Sequence, residues 1–245
     1  MLRNLILALL LFVPGLALAG PNTLAVLYFQ NSGGPTYDAL KVGMAQMLIN
    51  DLVGIEGVTV VERTALQAIL DELELGHSGM VDPDTAARVG KLLGAEWMAM
   101  GTYFELGGTL YVQSRMVRVE TGEILHAFSV NDQATAFLEL ERELATSYRD
   151  ALRTLVSTDG ARRNPTRRGT EDQGASAAPT SETPGAEIVI AAPDPKALEA
   201  AIAFSEGLIY LDTKDLPRAR EAFEQAVAAD PRLDDAKEQL AALEI

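Results

Sequence analysis

The chain has 245 residues, of which 35 are acidic and 20 basic, and its net charge of -15 disfavours nucleic acid and anionic lipid as partners. It contains no cysteine, so we expect no disulfide, no thiolate metal site and no N-terminal lipid anchor, which would require a cysteine at the cleavage point. The hydrophobic content of 48% is ordinary for a folded protein.

Residues 1–19 read MLRNLILALLLFVPGLALA, with one arginine, an apolar run and a small-residue end. This pattern is typical of a secretory signal peptide, and we expect the mature protein to begin at Gly20. An uncleaved membrane anchor is the alternative, but the apolar run is shorter than the ~20 residues that span a bilayer. The segment therefore predicts export to the periplasm, with a position peripheral to the outer membrane left open.

Residues 20–156 alternate strand-like and helix-like patterns, which predicts an α/β domain with a mixed sheet and three layers. Gly107-Gly108 and Thr121-Gly122 mark tight turns between consecutive strands. A long helix from about Ala134 to Val156 closes the unit. The predicted strands are Leu24 to Phe29, Val58 to Val61, Trp97 to Phe104, Leu110 to Val119 and Glu123 to Val130.

The stretch VVERTALQ passes from a strand into a helix without a loop. Thr64 and Gln67 have the spacing of a capping box, which predicts that the helix begins at Thr64. Glu62 and Arg63 are then interpreted as a solvated ion pair beside the helix start, because structural ion pairs outnumber catalytic ones. A catalytic corner is the alternative.

Residues 157–194 are rich in Gly, Pro, Ser, Thr and Ala, which predicts a disordered linker. An arginine cluster lies within it, at Arg162, Arg163, Arg167 and Arg168. These arginines are interpreted as solvated, with contact to an acidic surface as the alternative. The linker would let the C-terminal segment move as a tethered module.

Residues 195–245 have the spacing of a tetratricopeptide repeat (TPR), two antiparallel helices that cross closely at small residues. An unrelated helical hairpin is the alternative, and a third, capping helix is expected from Leu233 to Leu243. A single repeat rarely buries a core, so it should dock onto the first domain, self-associate or bind a partner protein. The residues that carry the pattern are Gly207, Tyr210, Ala219, Phe223, Ala226 and Pro231.

Partner binding by such a repeat would use the polar faces of its helices. Glu206, Tyr210, Lys214 and Arg218 are the candidate residues, with Tyr210 also serving the helix packing. The expected ligand is another protein of the cell envelope.

Residues for catalysis are sparse. His77 and His126 are the only histidines, and they lie far apart in sequence without a His-x-x-x-His partner, which argues against a histidine-rich metal site and a His-dependent nucleophile. GHSGM departs from a nucleophile elbow at Met80, and no phosphate-binding glycine loop occurs. We therefore expect no enzyme activity, no cofactor and no bound metal.

The segments LAVLYFQN, VVERTALQAILDELELG, KLLGAEWMAMG and VETGEIL, in this order, resemble the CsgG family, the curli production assembly and transport components. The resemblance covers about Leu24 to Val156. It implies a periplasmic α/β unit that can form homo-oligomeric rings, and founding members build an outer-membrane channel that exports curli subunits.

The sequence departs in two features from the channel-forming members of the CsgG family. Those members are lipoproteins, and they insert two amphipathic β-hairpins per subunit, whereas Phe104 to Leu110 leaves room only for a tight turn. We therefore predict a non-enzymatic periplasmic protein that supports assembly of an envelope or secretion complex. The alternatives are a subunit of a curli-type secretion channel, and a ligand sensor with a pocket above the Leu24 and Val58 strand ends.

Overall fold

The computed structural model describes residues 22–76, 83–163 and 195–243. The predicted signal peptide, His77, the GHSGM loop beyond Gly76, and the linker from residue 164 to residue 194 lie outside the described residues.

Six strands form one mixed sheet. They are β1 (Thr23–Val26), β2 (Gln30–Asn31), β3 (Thr59–Val60), β4 (Trp97–Leu106), β5 (Thr109–Arg118) and β6 (Ile124–Gln133). The order is β3-β1-β4-β5-β6, with β2 paired to β4. β1 runs parallel to β3 and β4, while β4, β5 and β6 form an antiparallel meander. The mixed α/β fold is thereby confirmed.

Seven α-helices accompany the sheet in the described part of the chain. They are α1 (Leu40–Leu52), α2 (Arg63–Glu72), α3 (Pro83–Leu92), α4 (Phe137–Arg163), α5 (Pro195–Asp212), α6 (Leu216–Ala229) and α7 (Asp234–Ala242). Short 3-10 turns precede α1 and α4, at Pro35–Tyr37 and Ala134–Ala136.

Helices cover both faces of the sheet. Ser114 on β5 lies 2.6 Å from the Tyr148 hydroxyl of α4, so α4 covers one face. On the opposite face, a Cβ at Gly90 of α3 would lie 2.8 Å from Val119 at the end of β5, so this helix packs tightly there. Because neighbouring residues of a strand point to opposite faces, Arg115 lies on the α3 side. The domain therefore has three layers.

The β4–β5 turn follows directly from its sequence. Gly107 and Gly108 have φ angles of 63° and 84°, a left-handed conformation that side chains disfavour, as a tight hairpin turn requires. The antiparallel register around it is continuous from Trp97↔Arg118 to Leu106↔Thr109. The hairpin predicted between these strands is confirmed.

The end of α4 differs from the prediction. Ser, Thr, Asp and Gly follow Val156 and suggested a linker, but the helix continues to Arg163. Ser157 and Thr158 donate their hydroxyl protons to the carbonyl of Thr154, each at 2.8 Å. Bonds to the preceding turn let these residues remain helical.

Helices α5 and α6 form a hairpin that packs against the α/β domain. A Cβ at Gly43 of α1 would overlap the Ser205 Oγ of α5, so the two helix backbones cross closely. Phe204 of α5 and Leu48 of α1 belong to the same continuous core and are fully buried. Of the three possible roles of a single repeat, docking onto the first domain is the one observed.

Candidate functional site

The seam, defined as the contact of α5 and α7 with α1, α2 and α4, contains a buried polar network. Arg63, at the first position of α2, donates to Asp212 at the end of α5 over 2.6 Å. It also donates to Gln46 of α1 over 3.0 Å and to the Tyr28 hydroxyl over 3.2 Å. The prediction of a solvated Glu62–Arg63 pair was wrong, because the partner of Arg63 is supplied by the distant α5.

The predicted capping box was also wrong. The helix begins at Arg63 with Glu62 as its N-cap, and no side chain caps it. Gln67 turns inward instead, accepting from the Tyr28 hydroxyl at 2.6 Å and donating to Asp71 at 2.7 Å. The buried polar network therefore takes precedence over local capping.

Burial raises the pKa of Tyr28 to about 12, with neighbouring Arg63 opposing the shift. Its hydroxyl therefore remains protonated at neutral pH and bridges Arg63 and Gln67. The network stabilises the contact between α5 and the α/β domain, since each of its groups already has a partner within the protein.

The four predicted partner-binding residues lie together at one end of the α5–α6 hairpin. Glu206 is exposed one helical turn before the half-buried Tyr210, and Lys214 lies exposed in the turn between the helices, with φ of 60°. Arg218 of α6 stacks over the Tyr210 ring at 4.7 Å and pairs with Asp215. We call Glu206, Tyr210, Lys214, Asp215 and Arg218 the hairpin cluster. Its role in binding stays a prediction.

The packing residues of the predicted repeat occupy the contact between α5 and α6. A Cβ at Gly207 would lie 2.5 Å from the Phe223 ring, so glycine is required for the close crossing. Ala219 and Ala226 are fully buried, and Pro231 follows the end of α6. The helical hairpin and the third helix, α7, are observed, whereas membership in the TPR class stays a prediction.

A cavity opens near the carboxyl end of β1, where the ligand-sensor alternative places a pocket, but beyond residues 27–30 its lining comes from the meander and not from β3. It has a volume of about 520 Å³ and extends from Leu27 and Tyr28 across the meander to Phe128. Arg115 lines this cavity and a neighbouring one of about 230 Å³, and its guanidinium has no ion-pair partner among the residues described. The strand-end position could be expected from the sequence, whereas the part of the cavity that Arg115 lines could not.

Within residues 22–76, 83–163 and 195–243, no group of three or more His, Asp or Glu side chains has an arrangement that could hold a metal ion. His126 is stacked against Phe128, with ring centroids 6.1 Å apart. None of the helices in the described ranges combines the length and apolar character needed to cross a membrane.

Several solved structures are similar to part of the chain. The C-terminal domain of LpoB from Salmonella enterica is 18% identical, with a TM-score of 0.37 over 46% of this chain and 82% of that chain. Lipoprotein GNA1162 from Neisseria meningitidis is 17% identical, with a TM-score of 0.40 over 46% and 81%. The PelC dodecamer from Paraburkholderia phytofirmans is 16% identical, with a TM-score of 0.27 over 46% and 71%.

No curated protein matched the chain in sequence. A family model does match, and it covers β1 to the β4–β5 turn, including α2 with Arg63. Residues 18–109 are thus a match to the family described as curli production assembly/transport component CsgG.

Proposed function

We propose that the protein is a non-enzymatic, exported component of the bacterial envelope that supports assembly of an envelope or secretion complex by binding another protein. The observation that carries the proposal is the match of residues 18–109 to the CsgG family, whose description is assembly and transport. The signal-like start of the chain supports export.

The docked hairpin changes the mode of action that the linker suggested. Because α5 packs on α1 and its end is held by Arg63, the helices are not a freely tethered module. The α/β domain and the hairpin act together as one platform. A rigid platform loses little conformational entropy on binding, which favours affinity.

The proposed contact surface on this platform is the hairpin cluster. Tyr210 and Arg218 are residue types enriched where interfaces are most strongly bound, and their stacking holds both in place before a partner arrives. Glu206 and Lys214 supply opposite charges at the edge, which would orient the partner.

Site-specific photo-crosslinking tests this proposal in bacterial cells that express the full chain. A photoreactive amino acid placed at Glu206 should give a discrete adduct with one envelope protein. The same group at Glu143, exposed on α4, is the matched control. Adding Tyr210→Ala or Arg218→Glu should remove the adduct without lowering the amount of protein.

Equal adducts at Glu206 and Glu143 would contradict the proposed surface.

Fractionation of the same cells tests the role itself. If the chain forms large rings that stay with the membrane in detergent, the alternative of a secretion channel subunit would be favoured. Release with the soluble periplasmic fraction supports the assembly role.

A ligand sensor is the second candidate, favoured by the cavity beside β1. Its lining combines apolar side chains with the Arg115 guanidinium, which suits a small anionic ligand with an apolar body. A thermal-shift screen with such compounds tests it, with Arg115→Gln as the variant that should lose any response. No stabilised melting in the wild-type chain would remove this candidate.

A further inference from the structure

Three acidic side chains from three helices meet where α7 joins the α/β domain. They line a cavity of about 170 Å³, and Asp51 comes from α1, Glu141 from α4 and Asp235 from α7. Asn50 of α1 donates to Asp235 over 2.6 Å, which ties α7 to the domain. We call Asp51, Glu141 and Asp235 the seam carboxyls.

Glu141 is the least expected member of this group. Its side chain is only 5% exposed, and Oε1 is buried without a hydrogen-bond partner among the residues described. Asp51 lies within hydrogen-bonding reach of the same carboxyl group. Two carboxyl groups can hydrogen bond to each other only if one of them carries a proton, because ionised carboxylates are acceptors alone.

Among the residues described, the basic side chains near the cluster have other partners, although the charge of Arg142 opposes the rise that burial causes in the pKa of Glu141. Arg149 of α4 donates to the backbone carbonyl of Asp51 over 2.9 Å. Arg142 of α4 pairs with Glu139 at 3.7 Å, and Arg232 pairs with Asp230 at 2.8 Å. On α7, Asp234 pairs with Lys237 at 2.8 Å, and both Asp234 and Glu238 add negative charge near Asp235.

We propose that the seam carboxyls form a proton-dependent latch, in which a proton held on Glu141 beside Asp51 keeps α7 against the domain and its loss loosens that end of the seam. Leu233 and Ala236, which are buried there, would become accessible when the latch opens. Arg63 keeps its charge over the whole range, so the α5 end stays paired to Asp212.

The direction in which the stability of the seam changes with pH follows from the pKa values of its carboxyl groups. Burial raises the pKa of Glu141 well above 4.5, and the charge of Asp51 adds to the shift. Burial also raises the pKa of Asp235, although the Asn50 hydrogen bond opposes it. Between the ordinary pKa of a carboxyl group and these raised values, the folded state therefore binds more protons than the unfolded state. Stability at the seam is present at low pH and is lost as the pH rises through the folded values.

Hydrogen exchange of the full chain, followed from about pH 5 to about pH 8 and corrected for the intrinsic rate, tests the latch. In the wild type, protection of the α7 amides should fall by up to roughly tenfold per pH unit between the ordinary carboxyl pKa and the raised pKa of Glu141, and it should level off above the raised value. Protection of the meander strands β4 to β6 should fall less. Glu141→Gln replaces the protonated acid with a neutral amide, and it should make α7 protection fall less steeply with pH, with the contribution of Asp235 remaining.

Glu143→Gln, the same change on the exposed face of α4, is the control and should keep the wild-type pH profile. Asp51→Asn is the second variant if Glu141→Gln does not fold, and it should weaken the pH dependence, because it removes the contribution of Asp51 to the raised pKa of Glu141 while the burial of Glu141 remains. Wild-type α7 protection that does not change with pH would overturn the proposal. An unaltered pH profile in Glu141→Gln or Asp51→Asn would do so as well.

Discussion

Arg63 and Asp212 form a buried ion pair, with 2.6 Å between Nη1 and Oδ2 and side chains that are 4% and 8% exposed. One partner begins the helix that follows the β3 strand, and the other ends the first helix of the C-terminal hairpin. The pair therefore joins the part of the chain that matches the CsgG family to a part that lies beyond the match.

Removing the acidic partner should destabilise the whole protein. In Asp212→Ala the Arg63 guanidinium would stay buried with only neutral acceptors, and leaving one charge of a buried pair unmatched costs about 3–5 kcal/mol. Urea unfolding of the full chain measures this loss. Arg153→Ala removes an exposed pair with Asp150 and should change stability by less than about 1 kcal/mol. Equal losses in the two variants would contradict the importance of the seam pair.

The crossing of α1 and α5 gives a second prediction. Gly43→Ala adds a methyl group into the space of the Ser205 side chain, and such overpacking costs about 1–3 kcal/mol. Ser205→Gly removes the obstructing atoms, so the double variant should recover part of the loss. A double-mutant cycle from denaturant unfolding measures the coupling. A coupling of zero would mean that the helices do not approach at these residues.

Much of the sheet could be predicted from the sequence because its signals are local. Gly107-Gly108 defines the hairpin, and burial alternates along most of β5, whereas the first three residues of β4 are all buried. The close packing of Gly207 on Phe223 was also predictable, since both residues belong to one repeat pattern.

The seam could not be predicted, because its contacts join residues far apart in the chain. Arg63 has the local surroundings of a surface residue, and only the arrival of α5 buries it. The same holds for Glu141, which lies on a charged helix and shows nothing in its sequence neighbours of the contact with α7. Local spacing predicts helix faces, whereas the partner of a buried charge, and the inward orientation of Gln67 in place of a cap, depend on tertiary packing.

The core contact between α4 and the meander gives a third prediction. The Tyr148 hydroxyl lies 2.6 Å from Ser114 Oγ in a fully buried position, and Ser114 also donates to the Met100 carbonyl at 3.0 Å. The same hydroxyl also donates to the Arg115 carbonyl over 3.2 Å, so Tyr148→Phe should cost at least about 1 kcal/mol, the net value of one hydrogen bond. Tyr111→Phe, on a half-exposed ring stacked on Phe104, should cost less in the same unfolding assay. Equal costs would mean that the buried bond adds nothing.

The buried tyrosines predict that the protein loses stability in alkali. Burial raises the pKa of Tyr28 from 10.0 to about 12, while in the unfolded chain the phenol ionises near its ordinary value. Between these two values the folded state holds one more proton, so each pH unit removes about 1.4 kcal/mol of unfolding free energy for this residue. Burial also raises the pKa of Tyr103 and Tyr148, which act in the same direction.

Parallel measurement of phenolate absorbance and circular dichroism during alkaline titration checks this. The late part of the absorbance change should coincide with loss of structure, because these phenols ionise only when they are exposed. Tyr28→Phe should start with lower stability at neutral pH, since Gln67 loses its donor, and should then show a shallower fall above pH 10.0. A fall as steep as that of the wild type would place the alkali-sensitive group elsewhere.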